Sequence, residues 1–355
     1  MSVSKALTAC LLSLSSLAGH CFAQTQDSSA LNIAAGKALF DKNWVSAPAS
    51  TQSSDGLGPY YDARSCAACH PAGGSGAFPD SLTQVIDDPF YGRQLQRHAV
   101  AGLPAELDSQ HPLAHQGSRR LSPPLAGSYL FELVAETTLQ ALADPDDRDG
   151  NGISGRVAGR YGYKADIATL AQQIGKAFSI DMGLGNTFYP SPWGDCTSRQ
   201  TACLQLPAGA LANDTEVSAS VIPLLESWLR SLPLPPPPAA TEPLFSEFGC
   251  DGCHVPILPA PGASLHGWTD LLLHDMGPAL AADLPASSAM ADTSEWRTTA
   301  LWGLGRRMHY LHDGRADSLE AAIGLHGGEA EASRHAYERA TKLQREQLLG
   351  FLQGL

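Results

Sequence analysis

The sequence predicts a mainly α-helical protein of two domains with long loops. The length of 355 residues fits two domains that each bury a core. Several apolar stripes have the 3.6-residue spacing of amphipathic helices, and the stripe from Ile167 to Phe178, whose helix Asp166 can cap, is the clearest. Thr341 and Gln344 have the spacing of a capping box for the last helix, and residues 80–125 are polar and loop-like. The proline run from Leu232 to Pro238 is stiff and extended, which is typical of a linker. The predicted boundaries are 24–232 for the N-terminal domain, 233–240 for the linker and 241–355 for the C-terminal domain.

Residues 1–23 have the pattern of a secretory signal peptide. Lys5 supplies the positive charge, residues 6–17 form a short apolar core, and small residues precede a cleavage site after Ala23. A lipoprotein box ending at Cys10 is the weaker alternative, because almost no apolar sequence precedes it. The signal predicts export and a periplasmic location.

Each predicted domain contains one C-x-x-C-H motif, which is the attachment signature of c-type haem. In such a motif the two thiols bond to the porphyrin and the histidine becomes the proximal iron ligand. Residues i and i+3 of a helical turn share one face, so both sulfurs reach the same ring edge. A reduced structural pair, a redox dithiol or half of a zinc site would explain one copy, but two copies in an exported chain favour haem. The motif residues are Cys66, Cys69 and His70, and Cys250, Cys253 and His254.

The fold class predicted in full is therefore two cytochrome c-like helical domains, each holding one covalent haem. The formal net charge of −13 argues against nucleic acid as a partner. It is compatible with a small-molecule oxidant or other substrate, and with a redox partner protein of the cytochrome or cupredoxin type. No stretch approaches the ~20 apolar residues that a transmembrane helix needs.

The remaining cysteines point to one local disulfide. Cys10 and Cys21 leave with the signal peptide, whereas Cys196 and Cys203 lie seven residues apart in a predicted loop. An oxidising compartment favours a disulfide between them. A free reactive dithiol is the alternative.

A second metal is suggested by the segment that begins at Asp147. Asp147, Asp149 and Asn151 occupy positions 1, 3 and 5 of a calcium-loop pattern, and Gly152 occupies position 6. The acidic ligand expected at position 12 is replaced by Ala158. A calcium site completed by other segments and a plain Asp/Gly turn both remain open.

Further histidines are candidates for the second axial ligand of each iron. Asp317 or Ser318 can begin a short helix whose apolar face carries Leu319, Ile323 and, one turn later, His326. His326 is therefore a candidate ligand for the second haem, with a buried core histidine as the alternative. His98, His111 and His115 are candidates for the first haem, although a surface role is favoured for each.

The motifs resemble those of the bacterial di-haem cytochrome c peroxidase superfamily. They are most similar to a branch of di-haem oxidoreductases described as peroxidases or "thiol oxidoreductases". The resemblance begins near residue 31 and extends to the C-terminus. It lies in the two C-x-x-C-H motifs, Asp55-Gly-Leu-Gly, Tyr91-Gly-Arg-Gln-Leu-Gln, Gly155-Arg, Thr269-Asp-Leu-Leu-Leu-His-Asp-Met-Gly, the Arg297-Thr turn, Leu311-His-Asp-Gly-Arg-Ala and His326-Gly-Gly-Glu-Ala.

The resemblance implies a periplasmic peroxidase-like enzyme in which the first haem is the reaction site and the second is an electron relay. In the peroxidases a methionine ligand follows the histidine of the H-D-G turn by fourteen residues, and His326 has that position relative to His312. Histidine in place of methionine implies a lower potential for the second haem.

Peroxide cleavage also needs a proton-transfer group, for which Glu132 and Glu136 are the candidates and Glu106 a further one. A non-catalytic di-haem electron carrier is the main alternative function. Oxygen-dependent cleavage of a hydrophobic polymer and thiol oxidation by Cys196 and Cys203 are the others.

Overall fold

The structure is a computed structural model that describes residues 29–107, 113, 117–209, 215–260, 263–282 and 291–355. The predicted signal peptide, His111 and His115 lie outside the described residues. Among the described residues no helix is both long enough and apolar enough to cross a bilayer.

Ten α-helices can be traced in the described residues, and most are short. Helix α1 comprises residues 29–41. The others are α2 (Cys66–Cys69), α3 (Glu136–Leu142), α4 (Leu170–Met182), α5 (Thr201–Leu204), α6 (Val221–Ser231), α7 (Pro243–Glu247), α8 (Leu319–Gly324), α9 (Glu331–Arg339) and α10 (Lys342–Gln353). Short 3₁₀ turns occur at Gln52–Ser54, Pro71–Gly73, Ser128–Leu133, Cys250–Gly252, Pro278–Leu280, Leu304–Arg306 and Gly328–Ala330.

Small antiparallel sheets lie between these helices. The strands are β1 (Tyr60–Tyr61), β2 (Leu82–Asp88), β3 (Gly92–Leu95), β4 (His98–Ala99), β5 (Ser118–Leu121), β6 (Leu258–Ala260), β7 (Ala263–Leu265), β8 (Leu273–Asp275) and β9 (Glu295–Arg297). Strand β2 is central in a three-stranded sheet of order β3-β2-β5, and the other pairs are β1-β4, β6-β7 and β8-β9.

The prediction of a mainly α fold of two cytochrome c-like helical domains is therefore wrong. Residues 80–125 were expected to be a polar loop, but they contain the three-stranded sheet. In β2 the side chains of Leu82, Gln84 and Ile86 are buried in alternation with more exposed neighbours. Because the middle inward residue is a glutamine, the apolar alternation that marks a strand is interrupted.

The helix termini are better predicted than the fold class. Ser318 caps α8, and Thr341 and Gln344 form the predicted capping box of α10. The α4 stripe is also found, but the helix begins after Thr169, which forms a capping box with Gln172, rather than at Asp166.

The largest buried cluster contains residues from both sides of the Pro-rich run. Phe178 and Leu225 of the N-terminal part pack in the same cluster as Leu272 and Trp302. A second cluster, which includes Phe245, Trp268 and Leu348, lies within the C-terminal part. The main core is therefore formed by both parts of the chain, whereas the second cluster belongs to the C-terminal part.

Candidate functional site

The first C-x-x-C-H motif opens onto a large cavity, here called the first cavity. Helix α2 carries both cysteines on one turn, and His70 follows it and lines a cavity of ≈ 730 Å³. The Cys69 thiol is hydrogen-bonded to Ser122, which lines the same cavity. Helix α4 forms another part of the lining through residues such as Ala177 and Asp181.

The second motif lines a smaller cavity of ≈ 230 Å³, here called the second cavity. Cys250, Cys253 and His254 lie on its wall together with His326, so the predicted ligand reaches the predicted haem pocket. The two imidazoles are close enough that a charge on His326 lowers the pKa of His254, whose main cause of lowering is burial. His274, His309 and His312 also line this cavity.

The tautomers of the predicted ligands suit iron binding. Nδ1 of His70, His254 and His326 lies 2.9, 2.9 and 2.8 Å from the carbonyl oxygens of Pro123, Trp268 and Ala322, respectively. A carbonyl only accepts, so each Nδ1 carries the proton and each Nε2 keeps its lone pair. This is the arrangement of a metal-ligating histidine.

The two cavities share a wall. Tyr163, which is half-buried, donates a hydrogen bond from its hydroxyl to the Leu121 carbonyl oxygen at 2.8 Å. The residues that line both cavities are Leu121, Ser122, Pro123, Pro124, Tyr163, Arg297, Thr299 and Arg307. Any cofactors in the two cavities would therefore be separated by this thin wall.

Cations line the cavities without carboxylate partners. Arg120, Arg297 and Arg307 are half-buried, desolvation lowers the pKa of each, and within the described part of the chain none is ion-paired with a carboxylate. Arg307 Nε is buried and has no hydrogen-bond partner. A buried charge is costly unless it is paired. Haem carboxylates would supply the missing anions, so the residues present fit haem.

The predicted proton-transfer residues Glu132 and Glu136 line neither of these cavities. Glu132 accepts a hydrogen bond from the Leu170 backbone at the start of α4 and pairs with Arg230. Glu136 is 55% exposed and pairs with Arg160. Both contacts are those of structural surface acids.

Glu106, the further candidate, is buried and its carboxylate is held by amide groups. It accepts from the Gln96 backbone at 3.1 Å and from Gln200 Nε2 at 2.6 Å. Burial raises its pKa to about 7. It does not line the first cavity either.

Asp181 and Gln94 are the polar pair that sequence reasoning missed. Both line the first cavity, and Gln94 Nε2 donates to Asp181 Oδ1 at 2.9 Å and to Asp62 Oδ2 at 3.2 Å. Burial first, and then the charge of Asp62, raise the pKa of Asp181 to about 7. Gln94 belongs to the quoted Tyr91-Gly-Arg-Gln motif, but no local pattern relates it to a residue 87 positions later.

The other predicted ligands do not reach a cavity. His98 is exposed and its ring lies 5.4 Å from that of Tyr61. Cys196 and Cys203 form the predicted disulfide. Burial raises the pKa of Cys66 and Cys250 to about 12, which does not favour a redox dithiol at either motif.

The candidate calcium loop uses its oxygens within itself. Asp147 accepts from the Gly152 backbone, Asp149 from the Asn151 backbone, and Asn151 from the Ile153 backbone. These bonds occur in a plain Asp/Gly turn as well as in a metal loop. Calcium binding by Asp147, Asp149 and Asn151 stays a prediction.

Another cluster of metal-ligand type lies beside the second motif. Ligand atoms of Cys253, Asp270 and His274 lie within 4.8 Å of one another. Both ring nitrogens of His274 already face carboxylates, and Cys253 is the second cysteine of the haem motif. A metal ion would compete with haem attachment, so this cluster is better described as a hydrogen-bonded network.

Comparison with known proteins supports part of this picture. A family model described as "Di-haem oxidoreductase, putative peroxidase" matches residues 239–355, which include the second motif and His326. The resemblance stated from the sequence is thereby confirmed for the C-terminal part, and it implies haem binding there.

No curated protein matches the chain. Among solved structures, hydrazine synthase from Kuenenia stuttgartiensis, studied under xenon pressure, aligns over 90% of this chain and 92% of its own with a TM-score of 0.41 and 15% identity. This level of similarity supports no assignment of function.

Proposed function

We propose that this chain is an exported, periplasmic di-haem c-type oxidoreductase of peroxidase-like activity. The first cavity receives a small-molecule oxidant, and the second contains the electron relay that accepts electrons from a redox partner protein. The observation that supports these two roles is that the two cavities differ in the number of histidines that could bind iron. Two histidines with free Nε2 atoms, His254 and His326, belong to the second cavity, whereas His70 is the one histidine among the described residues lining the first.

The chain would hold each haem by the same set of contacts. Cys66 and Cys69, or Cys250 and Cys253, bond to the porphyrin, and the following histidine is the proximal ligand. When bound, the two haems supply the redox chemistry, one exchanging electrons with the substrate and the other storing them. Arg297 and Arg307 on the shared wall would pair with haem carboxylates.

Proton transfer is the task left to the protein side chains in the first cavity. Asp181 has the position and, with a pKa of about 7, the acidity that a general base requires near neutral pH. Gln94 holds the carboxyl group through its amide nitrogen. We therefore assign proton transfer to Asp181 in preference to Glu132 or Glu136.

Carbon monoxide binding tests the proposal, because it counts irons with an open ligand position. The mature protein should have the mass of two covalent haems, and the reduced protein should bind one CO. Replacing Cys66 and Cys69 with serine should remove the CO-binding haem and the peroxidase activity. The Cys250→Ser and Cys253→Ser pair should leave CO binding intact.

Two results would contradict the proposal. A protein without two covalent haems, made in a host able to attach them, excludes the di-haem assignment. Two haems that neither bind CO nor turn over peroxide would favour a non-catalytic electron-transfer cytochrome.

A further inference from the structure

His274 lies between two carboxylates beside the second cavity. Its Nε2 is 2.8 Å from Asp270 Oδ2, and its Nδ1 is 2.6 Å from Glu329 Oε2. The three side chains are 2%, 3% and 10% exposed, respectively. Two acceptors on one ring require two N–H groups, so His274 is an imidazolium. Burial alone would lower its pKa, but the hydrogen bonds that the ring makes with Asp270, Cys253 and Glu329 raise it to about 12.

Glu329 is also the acceptor for a second loop and for strand β8. Its Oε1 accepts from Ser154 Oγ at 2.7 Å and from the Asp275 backbone at 3.0 Å. Its Oε2 accepts from the Ser154 and Gly155 backbones at 2.9 and 3.3 Å. The carboxylate therefore connects three segments that are far apart in the sequence. Burial opposes its charge, yet the bonds with His274 and Ser154 lower its pKa to about 2.

The loop between His326 and Glu329 is held closely against the turn after β8. Gly328 has a φ of +55°, and a Cβ at this position would lie 2.3 Å from the Asp275 carbonyl oxygen. Only glycine fits this conformation and this approach. The two glycines after His326 therefore serve packing of the loop against protein backbone.

We infer that His274 and Glu329 are positioning residues that fix the loop carrying His326, and thereby aim its imidazole at the second cavity opposite His254. The inference rests on the proposed role of His326 as an iron ligand. Only two residues separate Glu329 from His326, and α8 holds the other side through the bond between His326 Nδ1 and the Ala322 carbonyl oxygen. Loss of the Glu329 contacts should therefore make the His326 imidazole more mobile, because the loop that follows it is no longer fixed. The network itself does not touch the iron.

The Glu329→Gln variant tests this inference with little change in volume. The amide cannot accept from all the present donors, and it loses the charge-assisted bond to His274. Outer-shell changes of this kind weaken metal ligation about 10- to 100-fold. We expect the reduced variant to bind CO at its second haem as well as at its first, and the second haem to change potential. Ser154→Ala, which removes one donor, should cause a smaller effect in the same direction.

Glu320→Gln is the matched control, because Glu320 is an exposed acid on α8, the helix that precedes His326. It should leave both spectra and potentials unchanged. The contacts by which His274 and Glu329 hold the loop that carries His326 are here called the clamp. If Glu329→Gln melts at a lower temperature but keeps the CO count and the second-haem potential of the wild type, the clamp is merely structural and the inference is overturned.

The two proposals fail in different ways. A wild-type protein that binds no CO contradicts the proposed enzyme, yet a Glu329→Gln variant that gains one CO still supports the clamp. A wild-type protein that binds two CO removes His326 from the ligands and overturns the clamp with it. One CO in both proteins, with the same second-haem potential, overturns the clamp alone.

Discussion

At the scale of single residues, the first cavity places one carboxyl group in an unusual electrostatic setting. Asp181 is half-buried in the lining of the first cavity, and Asp62 and Asp195 add negative charge near it. Lys176 and the amide of Gln94 oppose this effect but do not cancel it. The group therefore changes charge near neutral pH, where an ordinary aspartate is always ionised.

Replacing Asp181 with asparagine should lower peroxidase turnover by about 10²- to 10⁴-fold, the usual contribution of a general base. The wild-type rate should rise with pH through about 7, because the base must be ionised, and the variant should lose this rise. Steady-state rates from pH 5 to 9 would show both effects. Glu136→Gln is the control. If Glu136→Gln lowers the rate as much as Asp181→Asn does, Glu136 is again a candidate for the proton-transfer residue.

The same substitution should stabilise the protein in alkaline solution. The folded-state pKa of Asp181 is raised to about 7 from 3.8, so between these values the folded state binds more protons than the unfolded state. The stability from this group is greatest below pH 3.8 and is lost as the pH rises to 7. The free energy of unfolding of Asp181→Asn should exceed that of the wild type at pH 8, and the difference should shrink by pH 5. A loss of stability at pH 8 would contradict the buried setting.

At the scale of elements, α4 links the core to the first cavity. Thr169 accepts from the Gln172 backbone, and the Gln172 side chain accepts in return from the Thr169 backbone. Phe178 faces the core while Asp181 lines the cavity, so the register of this helix determines where Asp181 lies.

Thr169→Ala should lower the free energy of unfolding by about 1 kcal/mol, the typical cost of losing a helix cap. Ser220→Ala is the control, because Ser220 stands at the start of α6 and its side chain makes no capping hydrogen bond. Chemical denaturation of both holoproteins compares them directly. Equal losses would indicate that the Thr169 cap contributes nothing beyond its side-chain volume.

What the sequence predicts correctly at this scale is local. The Thr341 capping box and the Ser318 cap, which is one of the two predicted starts of α8, both depend on residues three positions apart. The pairing of β2 with β5, which brings Leu82 opposite Leu121, joins residues with no local relation. The cavity pair Gln94 and Asp181 depends on that sheet packing against α4, and so it could not be read from spacing.

At the scale of the whole molecule, an ion pair helps to join the two parts of the chain. Arg156 Nε and Nη2 lie 2.5 and 2.6 Å from the two carboxylate oxygens of Glu295. The Arg156 backbone also pairs with Leu273 of β8. These contacts connect the loop before residue 160 to the β8-β9 pair beside the second cavity.

Glu295→Gln should lower the free energy of unfolding at pH 7 by about 1–2 kcal/mol, because Arg156 is 37% exposed and solvent screens the pair. The bond with Arg156 lowers the pKa of Glu295 below 4.5. Its contribution is therefore complete above pH 4.5 and is lost as the pH falls through the folded-state pKa. Urea unfolding should show a difference at pH 7 that disappears in acid. Asp41→Asn, which breaks an exposed pair with Lys37, should change stability by less.

The two cavities share a wall, and Tyr163 is the aromatic side chain common to both linings. Electron tunnelling weakens steeply across empty space, so replacing Tyr163 with leucine should slow electron equilibration between the haems. The CO count should stay at one. Tyr163→Phe keeps the ring but loses the bond to the Leu121 carbonyl, at a cost of about 1 kcal/mol in stability. Stopped-flow reduction at both haem bands would separate these effects. If the leucine and phenylalanine variants equilibrate at the wild-type rate, the electrons cross the wall elsewhere, and the backbone from Leu121 to Pro124 becomes the candidate route.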